Sequence, residues 1–154
     1  MAASGSASIS VSSPATRARQ TWGEAAVDRV RCVLCCRGRF LLADHGTGRH
    51  EKWGLPGGRL EAREQPLDGL KRELDEELRI QPRVIVELGD WWHRDENYRV
   101  FGARIARALR WFDERELAAI AWLDYDEVAA LAGDGRLHKG FELEAIAEFQ
   151  RRFP

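Results

Sequence analysis

The sequence predicts an α/β fold in a single domain, and three observations carry that expectation. Short stretches with a period of two alternate with longer stretches that repeat every three to four residues, the patterns of strands and amphipathic helices. The chain has 154 residues, enough for one core without disulfide staples. With 44% hydrophobic and 32% charged residues it has the composition of an ordinary globular protein.

The elements follow in order. Val30, Cys32, Leu34 and Cys36 alternate with a second face that carries Arg29 and Arg31, so this segment reads as a strand. Arg37-Gly38 makes a turn, and Phe40-Leu41-Leu42 begins the returning arm of a hairpin. A polar loop follows at His45-Gly46-Thr47-Gly48-Arg49, then a stiff turning segment, Trp53 to Gly58. Gln65-Pro66 marks a helix start, because proline lacks only an N–H that the first turn leaves unused. Leu67, Leu70, Leu74 and Leu78 form the expected buried stripe of that helix. Val84 to Leu88 and Tyr98 to Ile105 read as strands joined through the polar His93 to Asn97 turn, and Ile120 to Leu123 as a short buried strand. Asp124 and Glu127 have capping-box spacing at the start of a helix ending at Gly133. Phe141, Ala145, Ile146 and Phe149 define a last amphipathic helix.

Charge and cysteine content narrow the function. A formal net charge of −1 gives no global electrostatic case for nucleic-acid or membrane binding, and no apolar run approaches the ~20 residues of a membrane span. Cys32 and Cys35 match C-x-x-C, but a three-residue offset in a strand sends the thiols to opposite faces, so core thiols are expected rather than a metal or redox pair. Clustered free thiols fit a reducing compartment, and a cytoplasmic location is expected. Residues 1–26 are rich in Ser and Ala, with no acidic residue before Glu24. A flexible tail is favoured there; a transit peptide has a similar composition.

The chemistry concentrates in the first helix. Glu73, Glu76 and Glu77 stand at i, i+3 and i+4, so their carboxylates share one helical face, with Asp75 adding to the charge. Two like charges about 4 Å apart near a protein surface repel by up to about 4 kcal/mol before relaxation. A hard divalent cation with oxygen ligands would offset that repulsion, and Mg²⁺ typically shares its remaining positions with water and phosphate. A solvated acidic face is the alternative, weakened by the preceding GLPGG turn and by Glu64.

Gly58, Glu64, Arg72, Glu73, Leu74, Glu76, Glu77 and Ile80 resemble the signature of the Nudix hydrolase family, G-x5-E-x7-R-E-U-x-E-E-x-G-U with U a bulky aliphatic. Arg79 departs from it, standing where the family has Gly. Arginine tolerates positive φ poorly, so either the helix closes differently or Arg79 accepts strain of order 1 kcal/mol. The resemblance extends over roughly residues 27–150 and implies an α/β/α sandwich with a mixed central sheet, in a domain spanning 27–154. It implies a hydrolase that cleaves a pyrophosphate bond in a nucleoside diphosphate-linked substrate. Glu73, Glu76, Glu77 and the carbonyl of Gly57 would bind Mg²⁺ or Mn²⁺. Glu64 and Arg72 would form a supporting ion pair. One of the three helix glutamates, or a later one, would take the proton of the attacking water.

Glu116, ahead of the Ile120 strand, is the leading candidate for that later glutamate, and Glu114 competes with it. Trp53, Trp91, Trp92, Tyr98 and Phe101 offer aromatic faces for a base, and Arg49, Arg59, Arg94 and Arg99 are candidate phosphate contacts. Each has a plain alternative in core packing or surface solubility. The expected substrate is a small nucleotide, with a nucleoside triphosphate favoured. Dinucleoside polyphosphates, nucleotide sugars and a non-catalytic nucleotide sensor are the alternatives. Tyr98 stands 18 residues after Ile80, a spacing reminiscent of members acting on diadenosine polyphosphates. No stable nucleic-acid complex and no membrane partner are expected, and a homodimer is left open.

Overall fold

The structure, a computed structural model, describes residues 26–46, 48 and 50–154. Residues 1–25 of the expected tail, and Arg49, lie outside the described residues. Among the described residues seven strands, β1 (Arg29–Cys36), β2 (Arg39–Asp44), β3 (Trp53–Gly54), β4 (Gly57–Arg59), β5 (Val86–His93), β6 (Glu96–Arg104) and β7 (Ala119–Leu123), form one sheet. The helices are α1 (Pro66–Leu78), α2 (Tyr125–Gly133) and α3 (Glu142–Arg152). The main path runs β3-β2-β1-β6-β5, with β4 paired to β1 and β7 to β2. The sheet is mixed: β1 runs parallel to β6, and every other pairing between these strands is antiparallel.

Helices cover both faces, giving an α/β/α sandwich. On one side Leu70, Leu74 and Leu78 of α1 pack on Val30, Cys32, Leu34, Leu41 and Phe101. Burying each such leucine is worth about 2 kcal/mol. On the other side Val128 of α2 and Ala145, Ile146 and Phe149 of α3 pack on Val33, Cys35, Phe40, Leu42 and Val100. Cys32 and Cys35 therefore face opposite layers, as the strand offset requires, and the three described cysteines are free and buried. No helix among the described residues is long and apolar enough to cross a membrane.

Several expectations need correction. Leu67 is 38% exposed, because it lies in the first turn of α1, where the helix projects past the core. The expected turn at His93–Asn97 shrinks to Arg94-Asp95, both at positive φ, with His93 paired to Glu96 and Asn97 to Trp92. A two-residue turn of this kind matches the twist of a hairpin, so β5 and β6 run on through residues whose charge suggests a loop. The segment Trp53 to Gly58 contributes two short strands rather than an unpaired turn. β7 is half-buried along its length, because β2 pairs with it on one side only. The capping box of α2 forms as expected: Asp124 accepts from the Glu127 N–H at 2.8 Å, and Glu127 accepts from the Asp124 N–H at 2.9 Å.

Candidate active site

Arg72 organises the acidic edge of α1. Its Nε and Nη2 donate to the two oxygens of Glu64 at 2.8 and 2.9 Å, a bidentate fork. Nη1 donates to Glu73 at 3.1 Å and Glu76 at 3.2 Å, while Nη2 also reaches the Arg59 carbonyl at 3.2 Å. One guanidinium thus ties the β4–α1 loop to the helix. Its hydrogen bonds hold the Glu64 carboxyl down at about 2, and Glu64 in turn raises the basicity of Arg72.

The three helix glutamates share an edge but have different surroundings. Glu77 is 3% exposed, and its Oε1 accepts from the Gly57 N–H at 3.0 Å. Burial, reinforced by the charge of Glu73, pushes its carboxyl up to about 8. Burial also raises Glu73, against the pull of Arg72. The Glu76 side chain is about half exposed. Among the described residues these side chains do not converge into a ready ligand set of three or more. Two of them are turned to Arg72 and the third to the Gly57 N–H.

The backbone before α1 is shaped to meet these carboxylates. Gly57 has φ 141°, and a Cβ there would fall 2.1 Å from the Val30 carbonyl oxygen. A Cβ on Gly58 would lie 2.5 Å from the Glu73 carboxyl. Any larger residue would push β4 off β1 or Glu73 off β4.

α1 closes at Arg79, which takes the left-handed conformation itself (φ 56°, ψ 41°) and donates its N–H to the Asp75 carbonyl at 3.0 Å, while the Ile80 N–H donates to the Leu74 carbonyl at 3.5 Å. Of the two outcomes open for this position, the chain adopts the strained one, at a cost on the order of 1 kcal/mol. The Arg79 guanidinium lies 5.7 Å from the ring centroid of Trp111.

The segment between β6 and β7 is pinned to the same end of the helix, since the Asp113 N–H donates to the Glu77 carbonyl at 2.9 Å. Arg115 forks onto the Asp113 side chain at 2.8 and 3.0 Å. Glu116 follows, exposed, and its charge contributes to the upward shift of Glu77. Glu114 is exposed as well.

The expected substrate contacts divide. Arg59 is half-exposed and donates to Glu96 at 2.8 Å. Arg94 is exposed in the β5–β6 turn. Arg99 is committed elsewhere, forked onto buried Asp90 at 2.8 and 3.0 Å. Tyr98 departs from the expectation of an open stacking face: it is 1% exposed, with its ring centroid 5.2 Å from that of Phe141. Trp53, Trp91 and Phe101 are core residues too, the first two packed in the layer under α2 and α3 and the third in the layer under α1, whereas Trp92 is half-buried.

A second group of residues has no counterpart in the sequence expectations. Arg31, on the face of β1 opposite α1, is buried beside Tyr98, Lys139, Glu142 and the stacked pair His45–His138, whose ring centroids are 5.3 Å apart. The one signal was a second cation, two residues after Arg29, in a strand that is apolar from there on.

Residues 26–142 match the family model for the NUDIX domain. The phosphatase NudJ of Escherichia coli strain K12 is 34% identical over 64 residues, covering 40% of this chain and 42% of that protein. The chain therefore matches less than half the length of this curated relative. Among solved structures, a NUDIX hydrolase from Nitrosomonas europaea superposes with a TM-score of 0.64 at 20% identity, covering 82% of this chain and 90% of that one. The NUDIX domain of Shewanella oneidensis NrtR, complexed with ADP ribose, gives 0.67 at 17% identity, covering 87% and 92%. At these identities the structural likeness establishes the fold.

Proposed function

The chain belongs to the NUDIX family, and we propose that it is a divalent-metal-dependent hydrolase that cleaves a pyrophosphate bond in a nucleotide-linked substrate. The observation that carries this reading is the α1 edge, where Glu73 and Glu77 are drawn into the fold with raised basicity while Arg72 and Glu64 hold the helix in register. A buried carboxylate at Glu77 and a partly buried one at Glu73, each acting on the other, call for a counter-charge, and every donor at the edge is oxygen, the chemistry that suits Mg²⁺ or Mn²⁺. Glu73, Glu76, Glu77 and the Gly57 carbonyl would hold it, after Glu73 and Glu76 release Arg72 and Glu77 releases the Gly57 N–H. When bound, such a cation neutralises charge developing on phosphate oxygens and acidifies a bound water.

The protein's own groups do the rest. Arg72, still forked onto Glu64, holds the β4–α1 loop against the helix that carries the carboxylates, a role whose loss typically lowers metal affinity or activity 10–100-fold. Glu116, exposed and within electrostatic reach of Glu77, is the proposed general base. Arg59 and Arg94, on the β4 side of the site and in the β5–β6 turn, are the proposed phosphate contacts. The activity resides in residues 27–154, without a contribution from residues 1–26, and three free thiols suit a cytoplasmic setting.

A nucleoside triphosphate is the favoured substrate. The NUDIX domain of NrtR complexed with ADP ribose keeps a second reading in view, a domain that binds a nucleotide without turning it over. The full set of α1 carboxylates argues for catalysis. Phosphate release from a panel of nucleoside triphosphates, dinucleoside polyphosphates and nucleotide sugars, with Mg²⁺ and with EDTA, tests the choice. Turnover of at least one class that stops in EDTA is expected; tight nucleotide binding with no turnover of any class would establish the sensor.

A further inference from the structure

Arg31 is 4% exposed, yet it lacks the partner that a buried guanidinium ordinarily has. Its Nη1 donates to the Val30 carbonyl at 3.0 Å, the single hydrogen bond it makes among the described residues, out of five available donors. The guanidinium carbon lies 5.3 Å from the centroid of Tyr98, and the Lys139 Nζ lies 5.7 Å from the same centroid. Neither cation has a carboxylate oxygen within 4.0 Å among the described residues. Their neighbours are paired: Arg29 and Arg59 share Glu96, both at 2.8 Å.

The acids that face Arg31 are occupied. Glu142, 1% exposed, accepts the Lys139 N–H at 2.8 Å and the Gly140 N–H at 2.7 Å, which ties the loop before α3 to the first residue of the helix. Glu77 accepts the Gly57 N–H. The remaining neighbours bring no negative charge: burial, together with nearby Arg31 and Lys139, lowers His45 to about 4 and His138 to about 3, so both rings are neutral near pH 7. A buried ion bears a desolvation cost of several kcal/mol unless something compensates it. The fold accepts that cost for Arg31 and sets a second cation beside the same ring. Arg31 also acts on the charges of Glu73 and Glu77, so the Arg31 end of this cationic pair adjoins the acidic edge of α1.

We propose that Arg31 and Lys139, gathered around Tyr98, form an oxyanion subsite for a phosphoryl group that the α1 carboxylates and their cation do not hold. The assignment rests on the reading of that edge as the metal site. In a diphosphate-bridged substrate both phosphoryl groups flank the bond being cut, whereas a third consecutive phosphoryl group needs a cationic seat away from the glutamates. The subsite therefore selects substrates with three or more consecutive phosphoryl groups over nucleotide sugars. Charge-assisted hydrogen bonds from a guanidinium and an ammonium, made beside buried aromatic surface, are the strong kind for such a group.

The test separates the subsite from the metal site by removing metal. The full chain in EDTA is titrated calorimetrically with pyrophosphate and with a nucleoside triphosphate. The parent is expected to bind both, and Lys139→Gln and Arg31→Gln each to weaken pyrophosphate binding at least tenfold, while Glu76→Gln leaves it unchanged or tighter. Arg31→Lys should recover part of the loss. Thermal melts identify any variant that fails to fold, and half-buried Lys139 keeps the proposal testable if Arg31→Gln is one of them. With Mg²⁺, Lys139→Gln should raise KM for a triphosphate at least tenfold and leave KM for a nucleotide sugar within about twofold. Absence of pyrophosphate binding by the parent, or unchanged binding by a folded Lys139→Gln, overturns the subsite. If Lys139→Gln weakens binding in EDTA but nothing is hydrolysed with Mg²⁺, the subsite stands and the hydrolase reading falls.

Discussion

Arg72 and Arg31 both act on Glu73 and are treated in opposite ways. Arg72, a quarter exposed, satisfies both oxygens of Glu64 and also reaches Glu73, Glu76 and a backbone carbonyl. Arg31, nearly sealed from solvent, has one hydrogen bond among the described residues and a lysine for company. A guanidinium whose donors are saturated from within the fold holds structure. One left unsatisfied in a low-dielectric setting is held ready for an anion that arrives from outside. The contrast separates the part of the site that orients carboxylates from the part that receives substrate.

The largest effect should come from the orienting side. Glu77→Gln keeps shape and removes a proposed ligand charge, so turnover should fall by about 10² or more with the fold intact. Glu73→Gln should behave alike. Parent rates in both variants, measured by phosphate release, would remove α1 from the chemistry. Arg72→Ala leaves Glu64, Glu73 and Glu76 without their shared cation, and a loss of about 1–3 kcal/mol in denaturant unfolding is expected, together with a 10–100-fold fall in activity. An Arg72→Ala variant as stable and active as the parent would erase the distinction from Arg31.

The pH response sharpens the same comparison. In the folded chain without metal, Glu77 keeps its proton up to about 8, while an unfolded chain releases it near 4.5. Between those values the folded state binds more protons, so this group's contribution to stability falls as pH rises through the window and is steady below it. Metal-free melts from pH 5 to 9 should show the parent losing a few degrees relative to Glu77→Gln. Equal slopes would mean that Glu77 ionises freely. Because a cation must displace that proton, the thermal shift produced by Mg²⁺ should grow over the same range.

The smallest effect belongs to Arg79. Replacement by Gly relieves a left-handed residue and should change stability by no more than about 1 kcal/mol, in the stabilising direction. A loss above about 2 kcal/mol would show that the contact with Trp111 outweighs the backbone strain.

The acidic edge was legible in the sequence because its members are close in the chain: helical spacing alone puts Glu73, Glu76 and Glu77 on one face, and Pro66 fixes where the helix begins. What the spacing could not reveal is that Arg72 and Gly57 hold the three carboxylates apart. The two-layer burial of the sheet was legible only in part. Alternation in β1 suggested a polar face for Arg29 and Arg31, yet β1 is a central strand covered on both sides, so Arg31 is enclosed. Lys139, His138 and Glu142 come from the chain just before and within the start of α3, and sequence distance hid their meeting with Arg31. Tyr98 was misread for the same reason: aromatic identity does not tell which face of a strand a helix will cover. The charges of Arg94, Asp95 and Glu96 hid a two-residue hairpin turn that depends on positive φ at residues other than glycine.

Turnover of one nucleoside triphosphate against Mg²⁺ concentration, for the parent and for Glu77→Gln in parallel, tests the metal-dependent hydrolase most directly. The parent should show no turnover in EDTA and a saturable rise with Mg²⁺, and Glu77→Gln should need more Mg²⁺ and reach a far lower plateau. Hydrolysis that persists in EDTA, or two superimposable curves, would contradict it.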